Sequence, residues 1–180
     1  MRHALVALVE DKPGVLNRVA SLFRRRAFNI ESLTVGHTEQ KGISRMTIVI
    51  DSDQTSTERV MAHLYKLVNV LQVADLAKAP SVNRDLALIK VQAEKETRAQ
   101  LLRIADETGA QVVDSGEKTI TVEITGEPDH VDSVIGRLQM LGIIEMVRTG
   151  LVSMVRGDEA LLLSEAHFDF NSEKKKENQD

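Results

Sequence analysis

Two rhythms of hydrophobic and polar positions alternate along this chain, and their order repeats. Ala4–Val9 is a continuous apolar run, the pattern of a well-covered strand. Pro13 and Gly14 then mark a turn into a helix, with Asp11 or Lys12 near the cap position. Proline is tolerated in a first helical turn because its missing N–H would have had no partner there. Val15, Val19 and Leu22, with Leu16, Ala20 and Phe23, form one apolar stripe at helical spacing, and Arg24–Arg26 end it. Ile30–His37 reads as a strand and Gln40-Lys41-Gly42 as a turn, and the alternation of Met46, Ile48 and Ile50 predicts the next strand. The polar stretch Asp51–Thr57 leads into a helix carrying Val60, Met61, Leu64 and Leu67, and Val70–Leu76 is a fourth strand. The order over residues 1–78 is therefore β-α-β-β-α-β. A four-stranded antiparallel sheet with two helices on one face is the usual solution, the ferredoxin-like split βαβ.

A second copy of that order follows. Residues 79–85, which include Lys78's neighbours Ala79-Pro80-Ser81, read as a linker. Leu86–Ala93 is a strand, and Glu96–Glu107 is a helix stopped by Gly109. Gln111–Asp114 and Ile120–Ile124 form a hairpin around Ser115-Gly116-Glu117. Asp129–Leu141 is a helix opened by Pro128 and closed by Gly142, Ile143–Val147 is a strand, and residues 151–156 are candidates to extend the sheet. The fold class is thus α+β, two ferredoxin-like βαββαβ domains over 1–78 and 86–157. The repeat is one of element order rather than of residues. From Asp158 the chain turns polar. Glu159–Leu163 could continue a helix, whereas Asn171–Asp180, NSEKKKENQD, has the composition of a disordered tail, so 158–180 is set apart.

Composition narrows the classes of function. At 180 residues the chain has room for one large domain or two small ones. Aromatic content is 3 % with no Trp, so the cores must be built from aliphatic residues and Met. Cysteine is absent, which excludes disulfides, thiolate metal sites and a cysteine nucleophile, and fits the cytoplasm. MRHALVALVEDK reads as a strand rather than a signal peptide because Glu10 and Asp11 interrupt it and no small-residue cleavage site follows. No uncharged apolar stretch approaches the ~20 residues that cross a bilayer. The net charge of −4 argues against nucleic acid as the main partner, since phosphate contacts need clustered cations. Arg24, Arg25 and Arg26 read first as cations complementing a helix C-terminus.

Catalytic chemistry has little to stand on. There is no GxG, Walker loop, GxSxG or HExxH. His3, His37, His63, His130 and His167 lack metal-ligand spacing on a helix face and read as surface or structural residues. Acid pairs such as Glu10/Asp11 and Asp51/Asp53 sit at strand ends and turns. The turn before the first helix is the better candidate. A ligand can approach the backbone at Gly14, and the first amides of a helix carry partial positive charge without an intrahelical partner. A carboxylate matches that end. On physical grounds alone a tight β-to-α turn is the better account of Pro13-Gly14, and a cap or bridge in a turn is the better account of Asn29.

At these residues the sequence resembles a known family. Asp11-Lys12-Pro13-Gly14-Val15-Leu16 after a first strand is similar to the opening of an ACT domain, a ferredoxin-like module that binds amino acids. The stretches Phe28–Val35, Ser44–Ile48 and Leu64–Leu71 resemble the regulatory, or small, subunit of acetolactate synthase (acetohydroxyacid synthase). Val82–Val91, Arg148-Thr149-Gly150 and Arg156-Gly157-Asp158 agree with its C-terminal part, so the resemblance covers residues 1–158. The resemblance implies a non-catalytic chain. The chemistry would belong to a separate catalytic large subunit, which condenses two pyruvates, or pyruvate with 2-oxobutyrate, using thiamine diphosphate, FAD and magnesium. This chain would carry no cofactor and no metal, raise that subunit's activity, and confer feedback inhibition by valine, with leucine or isoleucine as further effectors. ACT domains of this family dimerise, and the effector lies between the helix-1 turn of one chain and the Asn-Ile segment of the other. The matching positions are Asp11, Gly14, Val15, Leu16, Asn29 and Ile30, with Asp11 placed to set which effector binds. A stand-alone ACT-type regulator of another enzyme or of transcription is the alternative, and an independent enzyme is a third.

Overall fold

The structure, a computed structural model, describes residues 2–51 and 56–161. The chain divides into two compact units. The first holds the described residues up to Val82 and those from Ser153 onward, and the second is Asn83–Val152.

The first unit is built from β1 (Arg2–Glu10), α1 (Val15–Arg25), β2 (Ile30–His37), β3 (Ile43–Asp51), α2 (Thr57–Leu64) and β4 (Val70–Asp75), followed by a 3-10 turn at Leu76–Lys78. The sheet order is β2-β3-β1-β4, with every pairing antiparallel. The apolar run of β1 is explained by its central place. Leu5, Ala7 and Val9 face a core shared with Met46, Ile48 and Ile50 of β3, while Val6 and Leu8 are buried on the opposite face. Val15, Val19, Leu22 and Phe23 of α1 and Val60 and Leu64 of α2 enter that same core, so both helices cover one face of the sheet. The stripe on α1 is narrower than expected. Leu16 is 46 % exposed and Ala20 is exposed, because each follows a core residue and so lies about 100° further round the helix.

The second unit repeats the plan with β5 (Ser81–Gln92), α3 (Lys95–Thr108), β6 (Gln111–Ser115), β7 (Thr119–Gly126), α4 (Pro128–Gln139) and β8 (Ile143–Arg148), in sheet order β6-β7-β5-β8. Ala87, Ile89 and Val91 meet Leu101 and Ile104 of α3 and Val131, Val134 and Leu138 of α4. The α+β class with two βαββαβ sheets is what the element order predicted.

Some boundaries differ from the sequence reading. β5 begins at Ser81, so most of the expected linker 79–85 is strand. The physical reason is backbone pairing: β9 (Val152–Val155) pairs with β5, and the Arg156 N–H donates to Pro80 O at 2.9 Å. Residues 151–156 are candidates to extend the second sheet, and β9 does so by pairing with β5, while the residues from Ser153 fall in the first compact unit. α2 stops at Leu64 because Lys66 and Leu67 turn back on His63 O and Leu64 O with tighter 3-10 bonds, although Leu67 still packs on the core. Glu159–Leu161 is irregular rather than helical, and the rest of the expected tail lies outside the described residues.

Candidate functional site

The turn from β1 into α1 is held open by one residue. Gly14 is the N-cap of α1 at φ 84°, and no side chain caps the helix. That left-handed conformation suits a residue without Cβ. Val15 N–H donates to Lys12 O at 3.3 Å, and Arg18 N–H closes the first helical bond on Gly14 O at 3.0 Å. The N–H groups of Gly14, Leu16 and Asn17 have no acceptor among the described residues. Three donors and the positive end of the α1 dipole therefore converge on one exposed spot. A Cβ placed on Gly14 would meet no atom within 4 Å, so the space in front of the turn is empty.

A polar network fixes this turn to the sheet. Glu10 N–H donates to Asn69 O at 2.9 Å and Asp11 N–H to Gly42 O at 2.8 Å. The Asn69 amide donates to the Glu10 carboxylate and its oxygen accepts from Arg18, while Lys12 Nζ lies 2.8 Å from Glu10 Oε1. Asn69 is 7 % exposed, and it ties the start of β4 to both ends of the turn. Sequence reasoning did not single out Asn69 or Arg18. The available signal was a lone asparagine inside the apolar stretch Leu67–Leu71. Asp11 does not cap the helix; its Oδ2 lies 3.3 Å from Nδ1 of His37, at the end of β2.

Asn29 and Ile30 are positioned by the end of α1. Ala27 N–H donates to Arg24 O and Phe28 N–H to Phe23 O, the two bonds of a Schellman motif, with Ala27 in the left-handed position at φ 53°. The rings of Phe28 and Phe23 meet edge-on at 5.9 Å and complete it. Asn29 leaves this motif exposed, and Ile30, half-buried, opens the edge strand β2.

One chain does not bring the expected site residues together. Asp11, Gly14, Val15 and Leu16 cluster at the end of the sheet where Glu10 pairs with Ile43. Ile30 pairs with Ile50, seven positions further along β3, which is about 23 Å away at about 3.3 Å per residue. Val15 is buried in the core, so of the first group Asp11, the Gly14 backbone and Leu16 face solvent. Among the described residues no three His, Asp or Glu side chains form a group able to hold a metal, and no helix is long and apolar enough to cross a membrane.

Comparison with known proteins decides the family. Residues 5–72 match the domain described as an AHAS small subunit-like ACT domain, and residues 84–157 match the family described as the small subunit of acetolactate synthase. The acetolactate synthase small subunit of Mycolicibacterium smegmatis is 45 % identical over 159 residues, 88 % of this chain and 94 % of that protein. This chain belongs to the acetolactate synthase small-subunit family. The small subunit of Mycobacterium leprae is 46 % identical over the same length. The crystal structure of the acetolactate synthase small subunit from Thermotoga maritima superposes with a TM-score of 0.81 at 35 % identity, covering 88 % of this chain and 99 % of that one. Membership in the family and its ACT domain give this chain a regulatory role.

Proposed function

We propose that this chain is the non-catalytic regulatory subunit of acetolactate synthase, acting in the cytoplasm in branched-chain amino acid biosynthesis. It activates a catalytic large subunit and makes it sensitive to valine. The carbon–carbon bond formation, with thiamine diphosphate, FAD and magnesium, belongs to that partner. The observation that carries the effector reading is the left-handed Gly14 turn, which leaves the Gly14, Leu16 and Asn17 amides without acceptors in an open space. The valine carboxylate accepts from these amides. Asp11, or a backbone carbonyl, or Asn29 takes the ammonium.

The other half of the site comes from a second copy. β2 is an edge strand whose last residue, His37, touches Asp11 and whose first residue, Ile30, lies at the far end of the sheet. An antiparallel, two-fold pairing of β2 edges sets Asn29 and Ile30 of one copy beside the Asp11–Leu16 turn of the other. The valine isopropyl group then packs on Leu16 and Ile30, and burying it contributes about 1.5–3 kcal/mol. A single methylene discriminates only about 1–3 kcal/mol, so leucine and isoleucine bind measurably. Feedback inhibition needs valine to favour one quaternary arrangement by a coupling of about 1–3 kcal/mol.

The test is reconstitution with the large subunit and titration with valine, wild type against Gly14→Asp. The variant keeps activation and loses inhibition, because the added carboxylate enters the empty space and repels that of valine. Unchanged valine sensitivity would remove Gly14 from the site.

A further inference from the structure

A cleft on the other face of the first sheet is not used by the site above. Alternation along β1 and β3 turns Leu8, Ile43 and Arg45 away from the α1 and α2 core. The chain returns over that face at β9, where the Arg45 Nη2 donates to Ser153 O at 2.7 Å. Between them lies a cleft of about 200 Å³ whose apolar wall is Leu8, Ile43, Met154 and Leu161. That is the share of roughly six or seven waters at about 30 Å³ each, enough for a small organic molecule.

Arg45 is half-buried and lines the cleft, and among the described residues it makes no ion pair at salt-bridge distance. Burial lowers the Arg45 guanidinium below the ordinary arginine value, and the field of Glu39 opposes that shift. Arg45, Glu39 and the apolar wall border one space, so a cation and a carboxylate stand at the same cleft.

We propose that this cleft is a second small-molecule site, contained in one chain, that takes a free aliphatic α-amino acid. The carboxylate of the ligand pairs with Arg45, its ammonium pairs with the Glu39 carboxylate, and its side chain lies against Leu8, Ile43 and Met154. A simple carboxylate would pair with Arg45 but offer nothing to Glu39. The site goes beyond the Gly14 turn and does not depend on it.

Methyl NMR on the full chain with labelled methionine tests this, because Met154 lines the cleft whereas Met46 is buried in the helix-side core and reports only on folding. L-valine should shift the Met154 methyl saturably, and the shift should persist in Gly14→Asp. Isovalerate, which lacks the ammonium, should bind about tenfold more weakly or worse, as should L-valine to Glu39→Gln, since a hydrogen bond between charged groups is lost. An unchanged Met46 signal certifies that each variant is folded. The proposal fails if Met154 does not move, if its shift vanishes in Gly14→Asp, or if isovalerate binds as tightly as valine.

Discussion

Ala27 shows how a single backbone angle is decided outside its own side chain. Its φ of 53° is a conformation that costs an L-residue about 1–2 kcal/mol, and glycine is the usual occupant of this helix-ending position. The two Schellman bonds and the Phe23–Phe28 contact hold it there. Ala27→Gly should therefore raise stability by about 0.5–1 kcal/mol, read as a higher urea midpoint at an unchanged slope. Nearby, the ring of His63 packs 6.0 Å from that of Phe28, and its Nδ1 is shut off from water without a partner. Burial, helped by the positive charges of Arg26, Lys66 and Arg59, holds the imidazole below the ordinary histidine value. The folded state thus favours neutral His63. Its contribution is complete above about pH 6.5, the unfolded value, and is lost as pH falls through the lower folded value. Thermal midpoints compared between about pH 7.5 and pH 5 should fall more steeply for wild type than for His63→Gln. At this scale Gly14 was legible, because Pro-Gly after a strand announces a turn. Ala27 was not, since nothing in an alanine signals a positive φ.

Elements were legible where one face is buried. Val19, Leu22 and Phe23 fixed the orientation of α1, and the alternation of Met46, Ile48 and Ile50 fixed that of β3. Ends were less legible, because they depend on partners distant in sequence. The junction of β5 and β8 is one such place. Asp85 is 4 % exposed and accepts from Arg148 Nε and from Thr149 Oγ1, while Arg148 Nη1 reaches Asp132 of α4 at 2.6 Å. The Asp132 and Asp85 carboxylates raise the Arg148 guanidinium against the opposing pull of burial. Three elements of the second unit thus meet at one guanidinium. Arg148→Met leaves a buried carboxylate short of its charged donor and should cost about 1.5–3 kcal/mol in chemical denaturation. A smaller effect, within the range of exposed ion pairs, would place the weight of this junction on its backbone bonds alone.

For the whole molecule, the decisive fact is that Asp11–Leu16 and Asn29-Ile30 stand at opposite ends of one sheet. A site made from both requires two chains, and β2 is an edge strand of the first sheet, with Val35 43 % exposed on it. Val35→Lys places a charge on that edge, a device that discourages strand pairing. On the proposed two-fold pairing, sedimentation should then show a shift from dimer toward monomer, and the proposed valine inhibition should weaken with it. A variant that remains dimeric and fully inhibited would place the dimer contact elsewhere. The sequence by itself determined the two βαββαβ units, because hydrophobic period sets which elements form and element order limits how they pair. It also marked Gly14, because backbone chemistry at a turn is local. Only the tertiary structure decided that Asn69 and Arg18 brace that turn, that Asp11 meets His37, that β5 starts at Ser81 paired with β9, and that Arg45 reaches the backbone of Ser153. Those facts rest on contacts between residues far apart in the chain, and no local pattern encodes them.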